Sequence, residues 1–114
     1  MDSKTILITG ATSGIGKAAA ASLAALGHAV VIVGRSEEKC LATGEEIFRK
    51  CGRQVTWLVA DLSSQAAVRR LAETFKARFE RLDVLINNAG AVYIKRRETV
   101  DGQEMGWAVN YFQA

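Results

Sequence analysis

The chain has 114 residues, 49% of them hydrophobic and 24% charged, with a formal net charge of +3. That length suits one domain, residues 1–114, and the small scattered cationic excess suits an anionic ligand without marking a nucleic-acid surface. Cys40 and Cys51 form neither a disulfide framework nor, with the single histidine, a metal-ligand cluster, so no metal is expected and a reducing compartment is the natural reading.

No secretory h-region precedes the first apolar run, and no run approaches the ~20 residues that cross a bilayer. The expectation is an intracellular, cytoplasmic protein without evident membrane attachment. A membrane-associated parent protein stays open.

Lys4 to Thr9 reads as a first strand. Thr9-Gly10-Ala11-Thr12-Ser13-Gly14-Ile15-Gly16 then turns the chain into a helix from Ile15 to Leu26. Its predicted inner face is Ile15, Ala18, Ala19, Ser22, Leu23 and Leu26, and Gly27 stops it. Ala29 to Val33 is a second strand, short and β-branched. Ser36 caps a helix that runs through Cys51, with Cys40, Leu41, Gly44, Ile47, Phe48 and Cys51 facing inward. Gly44 costs that helix ~1 kcal/mol relative to alanine, which would mark a close packing point. Gly52 ends it, and Gln54 to Val59 is a third strand. Ala66 to Phe79 is an amphipathic helix with Val68, Leu71, Ala72, Phe75 and Phe79 on one stripe. Asp83 to Asn87 is a fourth strand. A polar loop with Lys95-Arg96-Arg97 follows, and Met105, Val109 and Phe112 predict a last helix from about Asp101.

Continuous apolar strands separated by helices imply an α/β fold, a Rossmann-type doubly wound parallel sheet. Right-handed crossovers give the strand order 3-2-1-4, with a reversal between strands 1 and 4. Ligands bind beyond the strand ends at such a reversal. Gly10 to Gly16, Arg35, Asp61 and Asn87 to Gly90 all fall there.

The glycine turn explains what would bind. Gly10 permits the tight exit from the strand, Gly14 lets the backbone approach a pyrophosphate, and Gly16 lets the helix lie close to the sheet. Free N–H groups and the helix dipole then converge on one point. A phosphate-binding P-loop is excluded, since Ala11 and Ala18 stand where it needs glycine and Ser or Thr.

Thr-Gly-x-x-x-Gly-Ile-Gly, Asp61-Leu62 after the third strand and Asn87-Asn88-Ala89-Gly90 after the fourth resemble the short-chain dehydrogenase/reductase family. Thr99-Val100-Asp101-Gly102 and Val109-Asn110 further resemble its retinol-dehydrogenase-like branch. The resemblance implies that Gly10, Ser13, Gly14, Ile15 and Gly16 line the cofactor pyrophosphate and ribose. It implies that Asp61 accepts a hydrogen bond from the adenine amino group with Leu62 beside the ring; the alternative for Asp61 is a helix N-cap. Asn88, Ala89 and Gly90 would support the sheet and pass near the adenosine ribose. Asn110 falls at the catalytic asparagine that helps hold a water in the proton relay; otherwise it bonds local backbone inside a helix.

An NAD-preferring fold carries an acid at the end of the second strand, where Arg35 stands. Its planar fork suits a 2′-phosphate, so NADP(H) is expected over NAD(H); the alternative is a solvated arginine.

The family's serine and Tyr-x-x-x-Lys pair are absent from these residues. Tyr93 is followed by Arg97 in a loop, Tyr111 would need a lysine beyond Ala114, and His28 sits in a turn. The resemblance thus implies the N-terminal, cofactor-binding part of a longer fold, cut after about four strands and the start of the fourth major helix. The parent would act on a small alcohol or carbonyl substrate, retinoid- or steroid-like. The chain alone would be inactive, with an exposed fourth-strand edge that favours self-association, and a homo-oligomer stays open. The alternative is a non-catalytic, truncated nucleotide-binding regulator or dimerisation partner.

Overall fold

The computed structural model describes residues 3–88 and the backbone of 92–95 and 108–111. Strands β1 (Thr5–Thr9), β2 (Ala29–Gly34), β3 (Thr56–Val59) and β4 (Val84–Asn87) alternate with helices α1 (Gly14–Ala25), α2 (Glu37–Cys51) and α3 (Gln65–Arg78). They form one four-stranded parallel sheet in the order β3-β2-β1-β4. Ile8 sits beside Ile32 on one side and Ile86 on the other, so β1 is the centre from which the chain winds both ways. This is the expected doubly wound arrangement.

Alternation along the strands sends successive side chains to opposite faces. Leu7, Val31, Val33 and Leu58 pack with Val68, Leu71 and Phe75 of α3. Ile6, Ile8, Val30 and Ile32 pack with Ala20 and Ala24 of α1 and Ile47 of α2. Both faces are covered, which is why the strands read as unbroken apolar runs.

The predicted stripe of α3 is buried, with Ala67 added and Phe79 half-buried as its C-cap. The inner faces of α1 and α2 need correction. Gly16, Ala20 and Ala24 are the buried residues of α1, while Ile15 is 80% and Leu26 61% exposed. Small residues let this helix sit close to the sheet; Leu23 of the predicted face packs half-buried against the core, while Ile15 and Leu26 face away. In α2, Cys40, Thr43 and Ile47 are buried, and Leu41 and Phe48 are about half exposed.

The C-terminal region differs more. Ala108–Tyr111 is a strand, β6, paired antiparallel with β5 (Val92–Lys95). The sequence pattern predicts a last helix and a polar loop there. Val-Tyr-Ile-Lys and Ala-Val-Asn-Tyr are rich in β-branched and aromatic residues, which suit a pleated ladder. Only Val109 of the predicted helical stripe falls inside the segment. Arg96, Arg97 and most of the predicted helix lie outside the described residues.

Candidate functional site

The carboxyl ends of all four parallel strands open onto one crevice of about 460 Å3. The turn after β1 contributes Gly10, Thr12 and Ser13. The end of β2 contributes Val33, Gly34 and Arg35. Ala60 to Ser63 follow β3, and Asn88 follows β4. The crevice therefore lies where the winding reverses.

Its floor is held by backbone bonds that carry the sheet past the strands. The Gly10 N–H donates to the Val33 carbonyl at 3.1 Å, and the Ala60 N–H to the Gly34 carbonyl at 3.0 Å. The Thr9 hydroxyl donates to the Asn87 side-chain oxygen at 3.0 Å and accepts the Asn88 N–H at 3.1 Å. The Asn88 amide donates to the Gly10 carbonyl at 3.1 Å. The ends of β1 and β4 are thereby stapled together beneath the glycine turn.

The glycines play separate parts. Gly10 and Gly14 have φ of 62° and 56°, the left-handed region that favours glycine. A Cβ at Gly14 would meet nothing within 4 Å, so its backbone faces open space. A Cβ at Gly16 would collide with the Gly10 carbonyl oxygen and would lie 2.6 Å from the Asn88 amide nitrogen. Gly16 thus serves close packing of helix on sheet, as the spacing predicts. Gly44 does not: a Cβ there would lie 3.7 Å from the Trp57 ring, an ordinary contact.

The three helix starts differ. Ser36 and Ser64 accept helix N–H groups at 3.2 Å in α2 and α3. Ser13, extended at φ −156° and ψ 163°, makes no such side-chain bond in α1. No acid occupies the first turn of α1, whereas α2 carries Glu37 and Glu38 there. The first N–H groups of an α-helix have no partner inside it, so α1 presents the positive end that an anion would complete.

Asp61 is not a helix cap; Ser64 is. The Asp61 carboxylate accepts the Ser63 hydroxyl at 2.6 Å and the Ser63 N–H at 3.0 Å. Those bonds, with the Arg35 charge nearby, hold its carboxyl below the usual range. It is an ionised acceptor at neutral pH, positioned by a local turn.

Of the predicted site residues, Gly10, Ser13, Arg35, Asp61, Leu62 and Asn88 line the crevice together. Gly14, Ile15 and Gly16 form the first turn of α1 and are not part of its wall. Ala89 and Gly90 lie outside the described residues. Asn110 stands on β6 in register with Tyr93. The sequence reading did not assign Thr12, Val33, Gly34, Ala60 and Ser63 to the site. Gly34 carried a signal, a glycine at a strand end: a Cβ there would come within 2.8 Å of Thr12 and 2.9 Å of the Cys40 sulfur. His28 lies elsewhere, its Nδ1 accepting the Lys4 N–H at 3.1 Å. Among the described residues no group of three or more His, Cys, Asp or Glu gathers, and no helix is long and apolar enough to cross a membrane.

A model of the short chain dehydrogenase family matches residues 4–110. Human retinol dehydrogenase 13 is 38% identical over 109 residues, covering 95% of this chain and 33% of its own length. Human polyprenol dehydrogenase is 36% identical over 109 residues, with 95% and 33% covered. The chain thus spans about a third of the length of these curated relatives. Among solved structures, a Shigella flexneri 2a str. 301 protein complexed with NADP superimposes with a TM-score of 0.72 at 36% identity, covering 79% of this chain and 38% of that one. YwfH, an NADPH dependent reductase involved in bacilysin biosynthesis, gives 0.73 at 31% identity, covering 83% and 38%.

Proposed function

The chain belongs to the short-chain dehydrogenase family, and on that premise we propose that residues 1–114 form one Rossmann unit that binds NADP(H) for hydride transfer between an alcohol and a carbonyl. The observation that carries this is the open start of α1. Ser13 does not cap it, Gly14 faces empty space, and no carboxylate neutralises its first turn. A pyrophosphate fits such a start, because it accepts from first-turn N–H groups that have no partner inside the helix.

The other residues take roles around that anchor. Ionised Asp61 accepts from the adenine amino group, and Leu62 lies beside the ring. Arg35 pairs with the 2′-phosphate, a reading supported by structural neighbours that carry NADP or depend on NADPH. Asn88 holds the Gly10 turn beneath the cofactor, with Ala89 and Gly90 following near the adenosine ribose. Asn110 matches the family's asparagine that positions a water. When bound, the dinucleotide supplies the hydride chemistry; this chain grips and orients it.

A lipophilic alcohol or carbonyl, retinoid- or steroid-like, is the substrate class for the whole protein. The named substrates of the retinol and polyprenol dehydrogenases support the lipophilic part of this reading. The chain carries no Tyr-x-x-x-Lys pair, so by itself it binds the cofactor without turning it over.

Calorimetry on the purified chain tests the reading. NADPH is expected to bind at least about tenfold more tightly than NADH, a difference of about 1.4 kcal/mol. Absence of binding by both dinucleotides overturns the assignment. Sustained NADPH oxidation with a carbonyl substrate overturns the inactivity of the isolated chain.

A further inference from the structure

Resting on the reading of the crevice as an NADP(H) seat, we propose that Lys39 is a second cation for the 2′-phosphate, facing Arg35 across the ridge formed by Thr12 and Ser13. Thr12 and Ser13 line the crevice with Arg35. The same two residues line a neighbouring cleft of about 440 Å3 between α1 and α2, which contains Lys39, Lys17 and Arg49. Crevice and cleft therefore meet over that ridge, with Arg35 on one side and the cations of α1 and α2 on the other.

The opposite flank is less suitable. On that flank Asp61 neighbours Arg35, in the crevice and in the adjoining pocket beside α3 alike, and Asp61 is held ionised by Ser63. A phosphate beside that carboxylate would be repelled, so the α2 side is favoured. On the α2 side the carboxylate present is already engaged. Glu46 holds Lys17 at 2.8 Å and Lys50 at 4.0 Å.

That engagement removes Lys17, and Arg49 lies in the last turn of α2, where its charge acts on Glu46; Lys39, in the first turn of α2, is the cation nearest Arg35 along the chain. Among the described residues its ammonium has no ion pair, while Lys17 is committed to Glu46. Its backbone is not loose. The Lys39 N–H donates to the Ser36 hydroxyl oxygen at 3.2 Å, closing the cap of α2. Arg35 immediately precedes that cap, so one short turn fixes the backbone of both cations. A phosphate monoester bears nearly two charges and several acceptor oxygens, enough for a guanidinium fork on one side and an ammonium on the other. NADH places hydroxyl groups there and gains little from either.

Calorimetric titration of Lys39→Gln, Lys39→Arg and Lys76→Gln with NADPH, NADH and 2′,5′-ADP tests the proposal. Lys76 lies in the last turn of α3 and controls for loss of one positive charge elsewhere. Lys39→Gln is expected to weaken NADPH and 2′,5′-ADP roughly tenfold, the scale of one charge-assisted contact. NADH should stay within about twofold, and Lys39→Arg should restore most of the loss. Equal weakening of NADPH and NADH, no weakening of either, or the same effect from Lys76→Gln overturns the role of Lys39. If the unsubstituted chain binds neither dinucleotide, the nucleotide-binding reading itself fails.

Discussion

Asn88 reaches back across the sheet to donate its side-chain amide to the Gly10 carbonyl, 3.1 Å away. The first residue after β4 thereby holds the first turn after β1, although the two are 78 positions apart. Thr9 reinforces the link by bonding both Asn87 and Asn88. Replacing Thr9 with valine keeps the shape and removes the hydroxyl from a site only 1% exposed. The Asn88 N–H loses a partner, and a loss of about 1–3 kcal/mol in urea unfolding is expected. Asn88→Ala should leave the chain folded and weaken NADPH about fivefold, the equivalent of one hydrogen bond.

Two helix glycines should respond in opposite directions to the same added methyl. Gly16→Ala drives a Cβ into the Gly10 carbonyl oxygen and the Asn88 amide. Overpacking of that kind costs about 1–3 kcal/mol. It also displaces the phosphate turn, so melting temperature and NADPH affinity fall together. Gly44→Ala meets only ordinary contacts with Trp57 and Val55. It should raise stability by up to about 1 kcal/mol through helix propensity, with dinucleotide affinity unchanged. Paired melts and titrations of the two variants check both outcomes.

Arg35→Asp puts an acid where an NAD-preferring fold carries one. The ratio of NADH to NADPH dissociation constants should fall at least about tenfold, since a charge-assisted bond to phosphate is exchanged for repulsion. An unchanged ratio would mean that the guanidinium is merely solvated.

Acid should loosen the opposite end of the sheet. Asp83 accepts the Thr5 N–H at 2.8 Å and Arg81 Nε at 3.1 Å. The Thr5 bond first, then the Arg81 and Lys4 charges, hold its carboxyl below the usual carboxylate range. The stabilisation is present above the unfolded-state value, roughly 3.9. It disappears as pH falls through the lower folded-state value. Asp83→Asn should therefore lower the urea midpoint at pH 7. The unsubstituted chain should lose more stability than Asp83→Asn between pH 5 and strongly acid solution.

The sheet was legible because both its faces are covered. Strands buried on two sides have to be apolar throughout, so β1 and β2 announce themselves, and the glycine turn locates the crevice. Helix α1 was harder to orient. Its run of alanines provides little contrast between faces, and Ile15 and Leu26 misdirected the choice. Its buried positions are Gly16, Ala20 and Ala24, small residues where the helix comes close to the sheet. In α2, Leu41 and Phe48 were read as inward by the same logic, while Thr43 was passed over as polar. The β5–β6 ladder is not legible because residues 96–107 separate its strands, a gap longer than a tight turn, and a four-residue strand leaves a weaker periodicity than a helix. Within the site, Arg35 and Asp61 were visible by type and place. Thr12, Ala60 and Ser63 were not, since residues this ordinary acquire a role only through what folds beside them.

Leu62 has two memberships. It is 8% exposed within the core cluster that includes Leu7 and Phe75, and it also forms part of the crevice wall. Val33 and Ala60 share that double position. An occupant of the crevice therefore rests on the same apolar layer that ties α3 to the sheet. Occupancy at one hundred times Kd would add about 2.7 kcal/mol to global stability by mass action. Because the wall is itself core, that gain should spread inward, slowing amide hydrogen exchange in β3 and along α3, well beyond the residues that touch the ligand.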